Sequence, residues 1–261
     1  MTFAQTVLLG AIAGFTIFIG LPLGRLKILS DKARTLISMI SVGIILFLLI
    51  DIFTHVAEPI EAALKGDNGV PNYGDAALLI AVFVIGFGVG LLGLILFEQR
   101  FLSHRATDKQ SLPPARLALM IAIGLGLHNF SEGLAIGQSA GHGDIALALL
   151  LIIGFGLHNA TEGFGIVGPL AGQMPSWGFL GMVGLIGGGP TFIGTMLGYG
   201  FTSPVTSVLF LALAIGALIY VLAELMFANH RPGTKMQGAI GLMLGFILAF
   251  LTDMILVIAG A

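Results

Sequence analysis

The sequence predicts an all-α fold: a polytopic membrane helix bundle of eight transmembrane helices, forming a single domain over residues 1–261. Three observations predict it. Hydrophobic residues make up 57% of the chain and charged residues only 9%, against about a quarter charged in soluble domains, so most of the surface does not face water. Apolar runs of span length, roughly 20 residues, follow one another with little between them. The runs are long and uniformly apolar rather than alternating, which argues against barrel strands and leaves helices to satisfy the backbone in hydrocarbon.

The first helix, 3–23, follows residues with no basic cluster and is long enough to be a span rather than a cleavable leader; Pro22-Leu23-Gly24 punctuates its end. The second, 35–57, and the third, 76–97, are separated by Gly66-Asp67-Asn68-Gly69. Pro113-Pro114 precedes the fourth, 117–140, and Gly141-His142-Gly143 parts it from the fifth, 145–168. The sixth, 178–200, starts beside the single Trp177, a residue type common at membrane interfaces. Ser203-Pro204 introduces the seventh, 205–227, and Arg231-Pro232-Gly233 the eighth, 236–259. Each such cluster is a turn signal rather than a helix interior.

Basic residues orient the bundle. Arg25, Lys27, Lys32 and Arg34 fall in the first loop, Arg100, Arg105, Lys109 and Arg116 in the third, and Arg231 and Lys235 in the seventh. With eight spans these ten share one face, and only Lys65 lies on the other. That bias is the positive-inside pattern, so both termini are expected outside the cell membrane. The outer loop 58–75 carries Glu58, Glu61, Asp67 and Asp75.

The chain has no cysteine, which excludes disulfides, thiolate metal sites and cysteine nucleophiles. No basic cluster with interleaved aromatics occurs, so nucleic acid is not an expected partner; the lipid bilayer is.

Asp51, His55, His128, Glu132, His158, Glu162, Glu224 and Asp253 all fall inside predicted spans, with no Lys or Arg beside them. A carboxylate at mid-bilayer costs roughly 2.5–3.5 kcal/mol on insertion scales. These groups must face the interior and find a proton or a cation from outside the chain. Helix 4 reads Gly124-Leu125-Gly126-Leu127-His128-Asn129-Phe130-Ser131-Glu132-Gly133, and helix 5 reads Gly154-Phe155-Gly156-Leu157-His158-Asn159-Ala160-Thr161-Glu162-Gly163. His and Glu at i, i+4 share a helix face, near the middle of each span. The short loop 141–144 makes the two helices antiparallel neighbours. Two imidazoles and two carboxylates then surround one point, a set suited to Zn²⁺ and also to Fe²⁺, Mn²⁺, Co²⁺ or Ni²⁺. Asn129 and Asn159, on the flank of the face, add carbonyl oxygens or orient the ligands. No catalytic cofactor is expected; the divalent cation is cargo.

The doubled H-N-x-[ST]-E-G motif resembles the signature of the ZIP (Zrt/Irt-like) metal transporters, whose bacterial and archaeal members carry H-N-x-x-E-G in helices 4 and 5. Gly216-Ala217-Leu218-Ile219-Tyr220 followed by Glu224 is similar to the family's G-A-M-I-Y…E stretch in helix 7. The resemblance implies a 3+2+3 arrangement, with helices 1–3 and 6–8 related by an inverted repeat around helices 4 and 5. It implies metal at His128, Glu132, His158 and Glu162, a contribution of Asn129 and Asn159 to a second ion, uptake toward the cytoplasm by alternating access, and often a homodimer. Ser131 and Thr161 replace the proline that often precedes the motif Glu. Gly189 stands where two-metal members carry a Glu before the Pro of helix 6, here Pro190, so one strong site is expected. The Gly187-Gly188-Gly189-Pro190 run either breaks helix 6 beside the site or serves close packing.

On this orientation Asp51, His55 and Asp253 lie toward the outer ends of helices 2 and 8 as an entry path, and Glu224 toward the release side. His104 and His230 are candidate relay residues in loops. A membrane-embedded metalloenzyme or a metal sensor would use the same central residues; against the enzyme, no nucleophile or independent general base remains once a metal is ligated.

Overall fold

A computed structural model describes residues 1–27, 30–66, 69–102, 113–141, 145–201, 203–229 and 233–259. His104, His142, His230 and the loop charges Asp67, Arg105, Lys109 and Arg231 lie outside the described residues. Among those described, eight helical segments follow one another: α1 (Phe3–Phe15, prolonged by Ile17–Gly20), α2 (Asp31–Lys65), α3 (Tyr73–Phe97), α4 (Pro114–Gly141), α5 (Ile145–Val167), α6 (Trp177–Gly198), α7 (Pro204–Ala228) and α8 (Lys235–Ala259). Seven are long and apolar enough to cross a membrane. The eighth, α5, has 23 residues, about 35 Å at 1.5 Å per residue, and lies among the others.

Three elements depart from their expected form. α1 is interrupted at Thr16, whose hydroxyl donates to the Ala13 carbonyl at 2.6 Å, and it finishes as a 3-10 turn, Leu21–Arg25. α2 runs two turns beyond residue 57, straight through Pro59. Those turns are largely exposed, so the carbonyl that Pro59 leaves without its helical donor is not enclosed by other helices. A Lys65–Glu61 pair at 3.0 Å and Gly66, at φ 65, finish the helix. α6 is not broken by its glycine run, and Pro190 lies inside a continuous helix.

Three sets of neighbours follow a two-fold pattern, whereas α5 against α8 and α2 against α3 have no comparable counterpart among the described residues. α2 packs along α8 as α3 packs along α7; α4 packs along α6 as α5 packs along α1; α4 meets α7 as α5 meets α2. Exchanging 1 with 6, 2 with 7, 3 with 8 and 4 with 5 maps each pair onto the other, as the 3+2+3 reading requires. The close contacts repeat too. Gly86 and Gly90 of α3 lie against α7, whose Gly216 lies against α3; Gly241 and Gly245 of α8 lie against α2, whose Gly43 lies against α8. Glycine at these crossings lets backbones approach as lipid-embedded helices need. Toward the end of the bundle that carries the basic loops, Ile45, Ile121, Leu125, Ile166, Leu218 and Val221 form part of a fully buried core.

Candidate metal centre

α4 and α5 are contacting neighbours, and each brings its His and Glu to the seam from near its midpoint. His128 Nε2 lies 3.2 Å from Glu132 Oε1 and 4.0 Å from Glu162 Oε1; His158 Nε2 lies 3.9 Å from the same Glu162 oxygen. The imidazole rings are 6.2 Å apart between centroids. All four residues are at most 5% exposed, so the groups meet away from water.

They meet without satisfying one another. Neither nitrogen of either imidazole has a hydrogen-bond partner, and neither does Glu132 Oε2 or Glu162 Oε1. Buried polar groups are ordinarily bonded, and the desolvation cost of these is large. No Lys or Arg occurs between Arg116 and Arg231, so beyond Arg116 in the first turn of α4, α4 to α7 supply no basic side chain. One ligand atom each from His128, Glu132 and His158 falls within 4.8 Å of the others. Bonds of about 2.0–2.2 Å around a tetrahedral ion put ligand atoms about 3.4 Å apart. The His128–Glu132 spacing of 3.2 Å already matches, and the Glu162 spacings of 4.0 and 3.9 Å need to close by about half an ångström. The donor set, imidazole and carboxylate without thiolate, fits a borderline divalent ion.

The two asparagines use their amide nitrogens differently. Asn129 Nδ2 donates to Glu162 Oε2 at 2.7 Å and to the Gly187 carbonyl of α6 at 3.1 Å; Asn159 Nδ2 donates to the Ala13 carbonyl of α1 at 3.1 Å. Their Oδ1 atoms are buried without partners. Thr161 back-bonds to the Leu157 carbonyl at 3.3 Å, whereas the Ser131 hydroxyl has no partner.

The flanking residues divide. Asp51 and His55 pair on α2, with Nδ1 3.6 Å from Oδ1, and Asp51 lies within electrostatic range of His128 and Asp253. This trio therefore gathers on one side of the centre. Glu224 does not join it: its neighbours are Tyr220 and Glu98, and Tyr220 donates to Glu98 Oε2 at 2.8 Å. Glu224 thus sits at the seam between α3 and α7, near the end of α7 that leads to the last basic loop. Glu98, an acid ending the apolar run of α3, is the residue sequence reasoning passed over. A Cβ added at Gly189 would meet nothing within 4 Å, and its neighbours on that helix face, Leu185 and Ile193, are exposed. Toward the α4–α5 seam α6 presents the Gly187 carbonyl instead.

At the end with the basic loops, a cavity of about 220 Å³ opens between α2, α4, α5 and α7, lined by Arg34, Ser38, Gln173 and Asn229 among others. Asn229 Nδ2 donates to Ser38 Oγ there at 2.8 Å.

The family model described as ZIP zinc transporter matches residues 98–253, from just past the end of α3 to near the end of α8. Among curated proteins no relative matches.

Proposed function

The chain belongs to the ZIP zinc transporter family, multi-pass membrane proteins that carry divalent metal cations, and we propose that it takes up Zn²⁺ through a single mid-membrane site of His128, Glu132, His158 and Glu162. One observation carries the reading: two carboxylates and two imidazoles converge, buried and with unpartnered lone pairs, in a stretch of chain that has no Lys or Arg. Only a cation from outside relieves such a set. Asp51, His55 and Asp253 gather hydrated ions on the outer side. The cavity at Ser38, Gln173 and Asn229 receives them on the cytoplasmic side, and both termini are outside. The imidazole-plus-carboxylate donor set favours Zn²⁺, with Fe²⁺ and Mn²⁺ following it in preference.

Uptake of Zn²⁺, Fe²⁺ and Mn²⁺ into proteoliposomes, with and without a pH gradient, tests this. Protein-dependent accumulation that Glu162→Ala abolishes is expected. Metal binding without accumulation would leave a sensor, and metal-dependent turnover of a substrate an enzyme.

A further inference from the structure

The motif repeats His, Asn and Glu in register, yet the structure does not treat its two carboxylates alike. Glu162 is held: one oxygen accepts from Asn129 at 2.7 Å, and the other faces both imidazoles. Glu132 has no amide donor among the described residues: its Oε1 lies 3.2 Å from His128 Nε2 and its Oε2 has no partner, because Asn159 gives its amide to the Ala13 carbonyl instead. The orientation of the Asn129 carboxamide is forced by chemistry. Its nitrogen stands between a carboxylate and a carbonyl, both acceptors, and an oxygen turned there would face two acceptors with no proton to share.

Resting on the reading of His128, Glu132, His158 and Glu162 as the ion site, we infer that Asn129 is a positioning residue for Glu162. One N–H of its carboxamide anchors on the Gly187 carbonyl of α6 and the other pins Glu162 Oε2, which aims Oε1 at the ion. Asn159 ties α5 to α1 at the point where α1 is interrupted and aims no carboxylate. Glu162 is thus the fixed acid of the pair and Glu132 the one able to swing.

A double-mutant cycle on the full chain, reading Zn²⁺ affinity by chelator competition and uptake in proteoliposomes, separates positioning from ligation. Loss of a ligand's positioning partner typically weakens metal binding about 10–100-fold, and Asn129→Ala is expected to do so in the wild-type and Glu132→Ala backgrounds. In the Glu162→Ala background it should change affinity less than about threefold, since nothing is left to position. An undiminished loss there overturns the inference, and so does no loss in the wild type. Asn129→Asp gives a second reading if the alanine variant folds poorly. A carboxylate is the better ion donor but has no N–H, so weaker binding is expected, and equal or tighter binding would make residue 129 a ligand. If wild-type protein neither binds nor moves Zn²⁺, or binds it as well after Glu162→Ala, the ion site itself falls and the positioning role with it.

Discussion

A buried imidazole is common in membrane bundles, but it normally donates or accepts a hydrogen bond. His128 and His158 do neither, and that separates them from structural polar residues. Removing one ligand from four leaves an ion under-coordinated, so His158→Ala and Glu132→Ala should each lower Zn²⁺ uptake at least about tenfold, judged against the 10–100-fold effect of outer residues alone. Yield and monodispersity should stay near wild type, since neither side chain holds a protein partner through its imidazole nitrogens or, in Glu132, its second oxygen. Protons and metal compete for the same lone pairs, because imidazole must be neutral and carboxylate ionised to coordinate. Zn²⁺ affinity should therefore fall as pH drops, and titrations between pH 7.5 and about 5.5 would show it; affinity constant over that range would argue against imidazole ligation. The four-residue centre is legible in the sequence because i, i+4 spacing fixes the face and doubling fixes the purpose. What the asparagines hold is not, since their partners Ala13 and Gly187 act through backbone carbonyls, and any residue type carries one.

Helices were legible as apolar runs, their irregularities less so. The interruption of α1 at Thr16 has no proline or glycine to announce it; it comes from a threonine hydroxyl taking the carbonyl three residues back. In α6 the counterpart of that carbonyl under the two-fold pattern belongs to Gly187, three residues before Pro190. Both carbonyls are claimed by a motif asparagine, so two dissimilar sequences reach one arrangement. Glycines mark the closest crossings. A Cβ at Gly194 would strike the Phe130 carbonyl and one at Gly198 the Leu134 carbonyl, whereas at Gly88 or Gly181 it meets nothing. Overpacking costs about 1–3 kcal/mol where side chains can yield, and a backbone carbonyl yields less. Gly194→Leu should accordingly lower the unfolding midpoint in detergent by several degrees or prevent folding, while Gly181→Leu should leave it unchanged. Equal effects at the two positions would mean that α4 and α6 are not in backbone contact.

Across the whole molecule the polar groups sort into two compartments with apolar side chains between them. Asp51 and His55 sit beyond the centre toward one end, and Arg34, Ser38, Gln173 and Asn229 line a cavity at the other. Ile45, Ile121, Leu125, Ile166 and Leu218, each at most 1% exposed, fill the interval between the His/Glu cluster and that cavity. A hydrated ion cannot pass such a layer without side chains parting, so the two compartments should be reachable from opposite faces of the membrane only. The chain contains no cysteine, which makes the expectation measurable in single-cysteine variants. His55→Cys should react with a membrane-impermeant thiol reagent added outside, and Gln173→Cys with the same reagent added from the cytoplasmic side. On the proposed orientation the basic loops and the cavity face the cytoplasm. Reaction of both from one face would break the assignment of sides, and reaction of either from both faces would mean that the apolar layer does not close the path. If instead Zn²⁺ saturating the centre changes the rate at Gln173→Cys while leaving a lipid-facing control such as Gly181→Cys unaltered, ion binding and the opening of the layer are coupled, as alternating access demands.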